Sequence, residues 1–393
     1  MTDLPDAEDP ALSIVMVTHG AWPLTAQAIE ALIAHTERSF ELIVVDNDSR
    51  DETRARLSTL RNAHVILNDG NDGFGPATNQ GAAVARAEYL VLLNTDAFVR
   101  PGWLEPLCEA IEQPGVGAVV PQYLHPDGSL QDAGTLLAQD GSVRVYGDGE
   151  DPTRGCYRFR RVVDSGAAAC MLIRRDLFQA IGGFDPIYAP AYYEDADLCL
   201  RIAERELTVM YEPRAAVTHR RYGSAGPERA AELSARNRSV FVDRWGSRLA
   251  GRPWTFEGTT EQAVITARDT RATPRVLICA RGGGAEQLAR RLLEAWPQAR
   301  VTWATAGTSV NGVDRGPWLR SGVEVLDGAD PSWLGDRLFH YDVVAVGGGL
   351  DPPLIDALAH TQPHAPQIPL AQFEAQLPQL VTIMAGAGIA PPT

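Results

Sequence analysis

The sequence contains no lysine, so all of its basic side chains other than histidine are arginine. Arginine forks suit diphosphate recognition, although the coding bias of a GC-rich genome produces the same absence. Cysteine is scarce as well. Cys108, Cys156, Cys170, Cys199 and Cys279 are scattered with no CxxC spacing, which excludes a zinc framework or a disulfide scaffold and points to free thiols in a reducing compartment. No apolar run approaches the roughly 18 residues that a bilayer span needs. Residues 1–10 are acidic and polar, with neither the basic nor the apolar region of a signal peptide. These absences lead to the expectation of a cytoplasmic protein, with peripheral contact at the inner face of the membrane left open. Positive charge is in deficit, since 35 Lys+Arg face 50 Asp+Glu for a formal charge of -15. That balance argues against wholesale nucleic-acid binding. No internal repeat of solenoid period is present.

A chain of 393 residues exceeds one typical compact domain, so two are expected. From residue 11 onward, short β-branched apolar runs alternate with segments of helical spacing. Strands are expected at 12–18, 40–45, 63–67 and 89–93, with helices at 25–35, 51–61 and 76–87. Such alternation implies a mostly parallel, helix-covered sheet, whose ligands bind outside the carboxyl ends of the strands. The turns after Thr18, Val45, Leu67 and Leu93 are thereby singled out. Residues 119–163 are richer in Gly and Asp, with short strand-like pieces. Helices are expected at 176–181 and 195–205. Residues 204–252 then turn Arg-rich, with Arg220, Arg221, Arg236, Arg238, Arg244 and Arg248. Residues 251–274 read as a linker. A second α/β pattern follows, with strands at 275–279, 301–304 and 341–346, a Gly-rich turn at 281–284 and a helix at 285–296. From about 361 the chain is Pro- and Gln-rich, which is expected to be partly disordered. The expected organisation is a disordered acidic tail (1–10), a first domain (11–250), a linker (251–274) and a second, smaller domain with its tail (275–393).

Five segments carry chemistry. Val45-Asp46-Asn47-Asp48-Ser49-Arg50-Asp51 puts carboxylates at the end of a buried strand, where they can accept from a base edge or ribose hydroxyls; Asp48 or Ser49 can equally cap the helix that follows. Asn71-Asp72-Gly73-Phe74-Gly75-Pro76-Ala77-Thr78-Asn79 combines glycines that permit backbone approach with a proline suited to a helix start. It can also be a tight turn without a ligand. Asn94-Thr95-Asp96 ends an apolar strand, where one carboxylate could hold a divalent cation against a diphosphate or simply be solvated. In Tyr192-Tyr193-Glu194-Asp195-Ala196-Asp197, three carboxylates crowd a helix start, as the macrodipole favours. The two aromatics could wall a sugar ring, and a carboxylate beside them could act as general base. His219-Arg220-Arg221-Tyr222-Gly223-Ser224 offers a metal ligand and phosphate-binding arginines, or only a surface histidine.

In this order, these segments resemble the family 2 glycosyltransferases of the GT-A fold, and within them bacterial rhamnosyltransferase-like enzymes. The pieces that carry the resemblance are Ile14-Val15-Met16-Val17-Thr18, Val44-Val45-Asp46-Asn47, Gly73-Phe74-Gly75 with Asn79, Asn94-Thr95-Asp96, Pro101-Gly102-Trp103, Gly182-Gly183-Phe184-Asp185, Glu194-Asp195-Ala196-Asp197-Leu198 and His219. The resemblance implies an α/β GT-A nucleotide-diphospho-sugar transferase fold and an inverting transfer from a UDP- or dTDP-sugar donor. The acceptor would be a hydroxyl of a glycan or lipid-linked molecule, in cell-surface polysaccharide assembly beside other glycan-assembly enzymes. It implies nucleoside contacts from Thr18 and Asp46 and a donor pocket lined by Gly73, Asn79, Asn94 and Gly166. Asp96 and His219 would hold Mg2+ or Mn2+. Asp195 would be the general base, with Glu194 in support. Two positions depart from the family pattern. Asn94 stands where a first carboxylate is usual, and Thr18-His19-Gly20 stands where relatives have an aromatic and Asn.

Residues 275–360 look like the amino-terminal half of a GT-B glycosyltransferase, a Rossmann-like unit, on Arg275-Val276-Leu277-Ile278, Gly322-Val323-Glu324-Val325-Leu326 and Tyr341-Asp342-Val343-Val344. Gly282-Gly283-Gly284 is not a GxGxxG fingerprint, so a non-catalytic docking or acceptor-positioning role is expected there. The alternative is a chain cut from within a longer two-enzyme polypeptide. Two other functions compete with transfer. One is a catalytically weak nucleotide-sugar-binding scaffold, motivated by Asn94. The other is a nucleotidyltransferase, which would want a Gly- and Lys/Arg-rich loop where Thr18-His19-Gly20-Ala21-Trp22 stands.

Overall fold

A computed structural model describes residues 4, 7–220, 227–269, 274–281, 283–297, 299–305, 318, 321–327, 330–337 and 340–376. Arg221, Tyr222, Gly223, Ser224 and Gly282 lie outside the described residues, as do most of the acidic start and the tail beyond 376. The chain divides into two compact units: Met1–Pro152 with Arg161–Thr255, and Thr153–Arg160 with Phe256–Thr393.

The first unit begins with strand β1 (Leu12–Thr18), helix α1 (Trp22–His35) and β2 (Phe40–Asn47). It continues through α2 (Thr53–Leu57), β3 (Ala63–Asn68), α3 (Phe74–Val84), β4 (Tyr89–Asn94), β5 (Ala97–Val99) and α4 (Leu104–Ile111). Strands β6 (Val116–Leu124), β7 (Leu130–Asp132), β8 (Thr135–Leu137), β9 (Val143–Val145), β10 (Arg161–Val163) and β11 (Cys170–Arg174) follow. Helices α5 (Arg175–Ala180) and α6 (Glu194–Glu204), strand β12 (Thr208–His219) and helix α7 (Pro227–Leu249) complete it.

The main sheet has the order β10-β12-β6-β11-β4-β1-β2-β3, with β5 and β7 paired to its flank. Strands β1 to β4 run parallel and β11 runs antiparallel to β4. The start of β11 therefore lies at the same edge as the ends of β1, β2 and β4. Strand β6 also runs antiparallel to β11, and β12 runs parallel to β6, so His219 arrives at that edge too. The central strands are apolar almost without interruption because both faces are covered. Strand β3, at the sheet margin, is only half-buried. One large core packs α1 and α4 against β1, β2, β4 and β6. A smaller one joins α6 to α7 through Tyr193, Ala196, Leu200, Phe241, Trp245 and Leu249.

Helix α7 answers the Arg-rich expectation with a different logic. Ala230, Leu233, Asn237, Phe241, Trp245 and Leu249 are buried at steps of three and four, one stripe of a helix whose arginines occupy the other faces. Helices α2 and α3 also differ from expectation. Helix α2 spans only Thr53–Leu57, and α3 starts two residues early at Phe74.

The second unit contains α8 (Glu261–Arg268) inside the stretch expected as a linker. The Thr260 hydroxyl caps that helix by accepting from the Ala263 N–H at 3.3 Å. Strands β13 (Arg275–Ala280), β14 (Arg300–Thr305), β15 (Val323–Asp327), β16 (Val343–Val346) and β17 (Gln367–Pro369) form a parallel sheet of order β15-β14-β13-β16-β17, a doubly wound arrangement. Helix Pro352–Thr361 ends where the Pro- and Gln-rich tail begins, and helix Leu370–Gln376 lies within the region expected to be partly disordered. Arg268, Asp269, Arg300, Glu324, Arg337 and His340 form a buried ionic network in this unit. Phe159 stacks against the guanidiniums of Arg268 at 5.2 Å and Arg300 at 4.7 Å. Burial alone would raise Asp269, yet the two neighbouring arginines hold it well below the usual carboxylate range. Glu324 is lowered in the same way by Arg268 and Arg337.

Candidate active site

At the ends of β1 and β2, the strand-end polar groups are tied to one another. Asp46 is fully buried, and its carboxylate accepts from the Ser49 N–H at 3.2 Å and pairs with Arg54 at 3.3 Å. The Ser49 hydroxyl also bonds Asp46, and accepts from the Gly20 N–H at 2.6 Å. Thr18 Oγ1 donates to the Gly20 carbonyl and meets Thr25 Oγ1, both at 3.1 Å. Thr18 and Asp46 thus frame the two turns. In front of them, His19 is exposed and Asp48 half-buried.

Asn47 binds this frame to the next turn. Its amide donates to the Gly73 carbonyl at 3.0 Å and accepts from Asn68 at 2.9 Å. Gly73 has φ 94°, and a Cβ there would stand 2.6 Å from the Pro190 main chain. Only glycine fits a backbone crossing that close in the left-handed region. The 71–75 turn is therefore seated on the loop before α6, and Phe74 donates its N–H to the Pro190 carbonyl at 2.8 Å. Asn79 uses both ends of its amide on the Phe184 main chain, each at 2.8 Å. In this structure Asn79 clamps the 182–185 turn rather than presenting a free amide to a donor pocket.

Asp96 and His219 meet at the same edge of the sheet, His219 Nε2 lying 3.4 Å from Asp96 Oδ1. Gln131 sets the orientation of the ring. Its Nε2 donates to the His219 carbonyl at 2.8 Å, so its Oε1 is the group facing His219 Nδ1 at 2.7 Å. An acceptor at that position requires the proton on Nδ1. Nε2 then turns a lone pair toward the Asp96 carboxylate. Two acceptors face each other, which suits a divalent cation between them. Ligand bonds of about 2.1 Å at right angles put two donors roughly 3.0 Å apart, close to the observed separation. Among the described residues no group of three or more His, Cys, Asp or Glu gathers to hold a metal. A cation here needs ligands from the substrate as well. Behind Gln131, His125 Nδ1 lies 3.1 Å from its amide, and His125 Nε2 lies 2.8 Å from Asp148.

Asn94 is half-buried, and its N–H donates to the Ala169 carbonyl at 2.9 Å. One residue earlier, the Ala168 main chain acts on the Asp195 carboxylate and opposes the rise of its pKa. A Cβ on Gly166 would stand 2.6 Å from the Val120 side chain, so glycine lets the chain pass flat over β6 before those two peptides. The entry to β11 therefore links the Asn94-Thr95-Asp96 turn to Asp195. Asp195 also accepts from the Ala196 N–H at 2.8 Å. Desolvation pushes its pKa up, against the opposing pull of these main-chain groups. Glu194 is buried, and its Oε2 has no hydrogen-bond partner. Burial first, and the Asp195 charge second, raise its pKa well above the ordinary value.

Asp197, the third carboxylate of the helix start, is used inside the fold. It accepts from Arg201 at 2.7 Å, Trp245 at 2.9 Å and Tyr188 at 3.2 Å. The five cysteines are all free and buried.

Residues 13–182 match the family described as "Glycosyl transferase family 2". It is 29% identical over 279 residues to the N-acetylglucosaminyl-diphospho-decaprenol L-rhamnosyltransferase of Mycobacterium tuberculosis (strain ATCC 25618 / H37Rv), covering 63% of this chain and 90% of that protein. It is also 29% identical over 255 residues to the O-antigen biosynthesis protein RfbC of Myxococcus xanthus, covering 62% of this chain but 19% of that much longer protein. Among solved structures, GalNAc-T7 crystallised with UDP, GalNAc and Mn2+ aligns over 61% of this chain and 49% of its own, at 18% identity and TM-score 0.49. No helix among the described residues is long and apolar enough to cross a membrane.

Proposed function

We propose that the family 2 domain transfers a sugar, with inversion, from a UDP- or dTDP-sugar to a hydroxyl of a glycan or lipid-linked acceptor. The observation that carries this reading is the pairing of Asp96 with His219, 3.4 Å apart at the carboxyl edge of the sheet, with Gln131 fixing the ring. The Ala169 carbonyl holds the Asn94 turn beside this pair.

In the proposed reaction the acceptor oxygen attacks the anomeric carbon. The bond from that carbon to the diphosphate oxygen breaks, and the hydroxyl proton passes to Asp195. The nucleoside diphosphate leaves with the bonding pair. Asp96 and His219 would hold Mg2+ or Mn2+, which supplies charge neutralisation on the diphosphate when bound. Gln131 would keep the His219 proton on Nδ1, and donor phosphate oxygens would supply the remaining ligands. Burial and the neighbouring Asp195 charge raise the Glu194 pKa, which disfavours a second negative charge beside the base. Thr18 and Asp46 support the nucleoside side by shaping the turns that carry His19 and Asp48. Gly73 and Gly166 act through close backbone packing, and Asn94 lines the donor side. The rhamnosyl relative acts, by its name, on a diphospho-decaprenol substrate, which favours a lipid-linked acceptor and cell-envelope polysaccharide assembly. The exposed arginines of α7 are compatible with contact to anionic headgroups.

A screen of UDP- and dTDP-sugars for release of nucleoside diphosphate, with and without Mn2+, tests the reading. Metal-stimulated release from at least one donor is expected. Tight nucleotide binding with no turnover of any donor would instead support a nucleotide-sugar-binding scaffold.

A further inference from the structure

Tyr192 and Tyr193 have φ 77° and 74°, consecutive left-handed residues that each carry a Cβ. That conformation is costly and persists only where the surroundings enforce it. Tyr193 is also the N-cap of α6, and its side chain makes no cap hydrogen bond. Its left-handed backbone therefore aims the helical turn that bears Glu194 and Asp195.

Asn237 of α7 is fully buried, and its Nδ2 lies against three carbonyls: Tyr188 at 2.7 Å, Ala191 at 2.9 Å and Tyr192 at 2.8 Å. An amide nitrogen has two protons, so one is shared. Its Oδ1 accepts from Arg236 Nε at 2.9 Å, while the Arg236 guanidinium bonds the Ala189 carbonyl. One and two turns further along the same stripe, the Phe241 ring packs 5.2 Å from Tyr193 and Trp245 donates to Asp197 at 2.9 Å. The Tyr193 hydroxyl is tied to the Gly141 carbonyl at 2.8 Å.

We propose that Asn237 is a positioning residue for the transfer reaction: by gathering the carbonyls of residues 188, 191 and 192, it enforces the double left-handed turn that directs the Asp195 carboxylate at the acceptor hydroxyl. The inference rests on the transferase reading for its catalytic half and on the geometry alone for its structural half. A buried amide at this point of an otherwise apolar stripe is costly unless its protons are used, and here both are.

The test uses the whole protein in three variants. Asn237→Ala removes the donors. Asn237→Asp keeps the shape but turns acceptors toward three carbonyls. Leu233→Ala opens a cavity elsewhere on the same helix and breaks none of these bonds. Hydrogen exchange of residues 188–197 should quicken in both Asn237 variants and not in Leu233→Ala. The rate of nucleoside diphosphate release should fall about 10- to 100-fold in Asn237→Ala and further in Asn237→Asp at pH 8. The affinities for free UDP and dTDP should fall less than the rate, because the Thr18 and Asp46 turns are held by bonds of their own and only the 71–75 turn rests on Pro190. A milder defect in Asn237→Asp than in Asn237→Ala would mean that volume matters and the protons do not, which overturns the proposal. Unchanged exchange over 188–197, or a rate loss in Leu233→Ala equal to that in Asn237→Ala, overturns it as well. If the wild type releases no nucleoside diphosphate from any donor, the transferase reading falls and takes the catalytic half with it, while the exchange data still judge the clamp.

Discussion

Replacing Gln131 with leucine should cost the protein most of its affinity for Mn2+ in the presence of saturating nucleoside diphosphate. Gln131 is buried and makes two bonds to one residue, 2.8 Å to the His219 carbonyl and 2.7 Å to Nδ1. Leucine of similar volume removes both. At about 1 kcal/mol net for each hydrogen bond, roughly 2 kcal/mol of orientation is lost. That corresponds to about 30-fold in dissociation constant, inside the 10- to 100-fold range found for outer-shell partners of metal-binding histidines. The loss has a direction as well as a size. Without the Oε1 acceptor the ring is free to carry its proton on Nε2, the nitrogen that must face the cation. Gln131→Glu keeps an acceptor for Nδ1–H and should lose less than Gln131→Leu. Free Mn2+ measured by electron paramagnetic resonance, in titrations with excess UDP or dTDP, reads both constants without any turnover. Equal Mn2+ affinity in wild type and Gln131→Leu, with the fold intact by thermal denaturation, would refute the tautomer reasoning. A deeper loss in Gln131→Glu than in Gln131→Leu would do the same.

Other consequences follow from the same geometry. Glu194 has a raised pKa in the folded chain, so its contribution to stability is fully present below its ordinary value near 4.5 and is lost as pH rises through the folded value. Glu194→Gln should therefore gain stability relative to wild type from pH 5 to pH 8, measured as the difference in Tm; a difference that shrinks with pH contradicts the assignment. Asn79→Ala strips the Phe184 peptide of both its partners and should lower stability by about 2 kcal/mol. Affinity for UDP or dTDP should stay within about twofold, and a large loss of nucleotide affinity at unchanged Tm would return Asn79 to the donor pocket. Because Asp195 is also raised, the acid limb of the pH–rate profile should lie above the ordinary aspartate range and report the Glu194–Asp195 pair jointly. A limb at or below the ordinary value would show that desolvation does not govern the base.

The strand-end turns were legible because they depend on local pattern. A β-branched apolar run followed by Asp, Asn or Gly announces itself, and β1, β2, β3 and β4 each end within two residues of expectation. The GT-A resemblance adds the pairing of Asp96 with His219, which no spacing encodes across more than a hundred residues. The misses share a physical cause. Strand β12 carries a buried glutamate and proline and a half-buried arginine, and its charges are paired at Glu212–Arg214, so composition hid this strand. Helix α7 was visible only as arginine, although its buried stripe was present in the same letters. Gln131 and Asn237 are single amides in unremarkable segments, and their weight comes from what other elements bring to them. Asn79 and Asp197 show the reverse, polar residues inside family-like segments whose hydrogen bonds turn inward to hold the fold. The helix at 261–268 was lost to the weak periodicity of its surroundings, where Arg268 is buried by partners far away in sequence.

The central claim is that Asp195 is the base of a transfer reaction whose nucleotide site is separate from it. Single-turnover transfer by Asp195→Asn, measured beside its affinity for UDP and dTDP, tests that claim most directly. The account predicts a rate lower by about 10²- to 10⁴-fold, with nucleotide affinity within about twofold of wild type. Transfer at the wild-type rate, or a nucleotide affinity lost together with the rate, would contradict it.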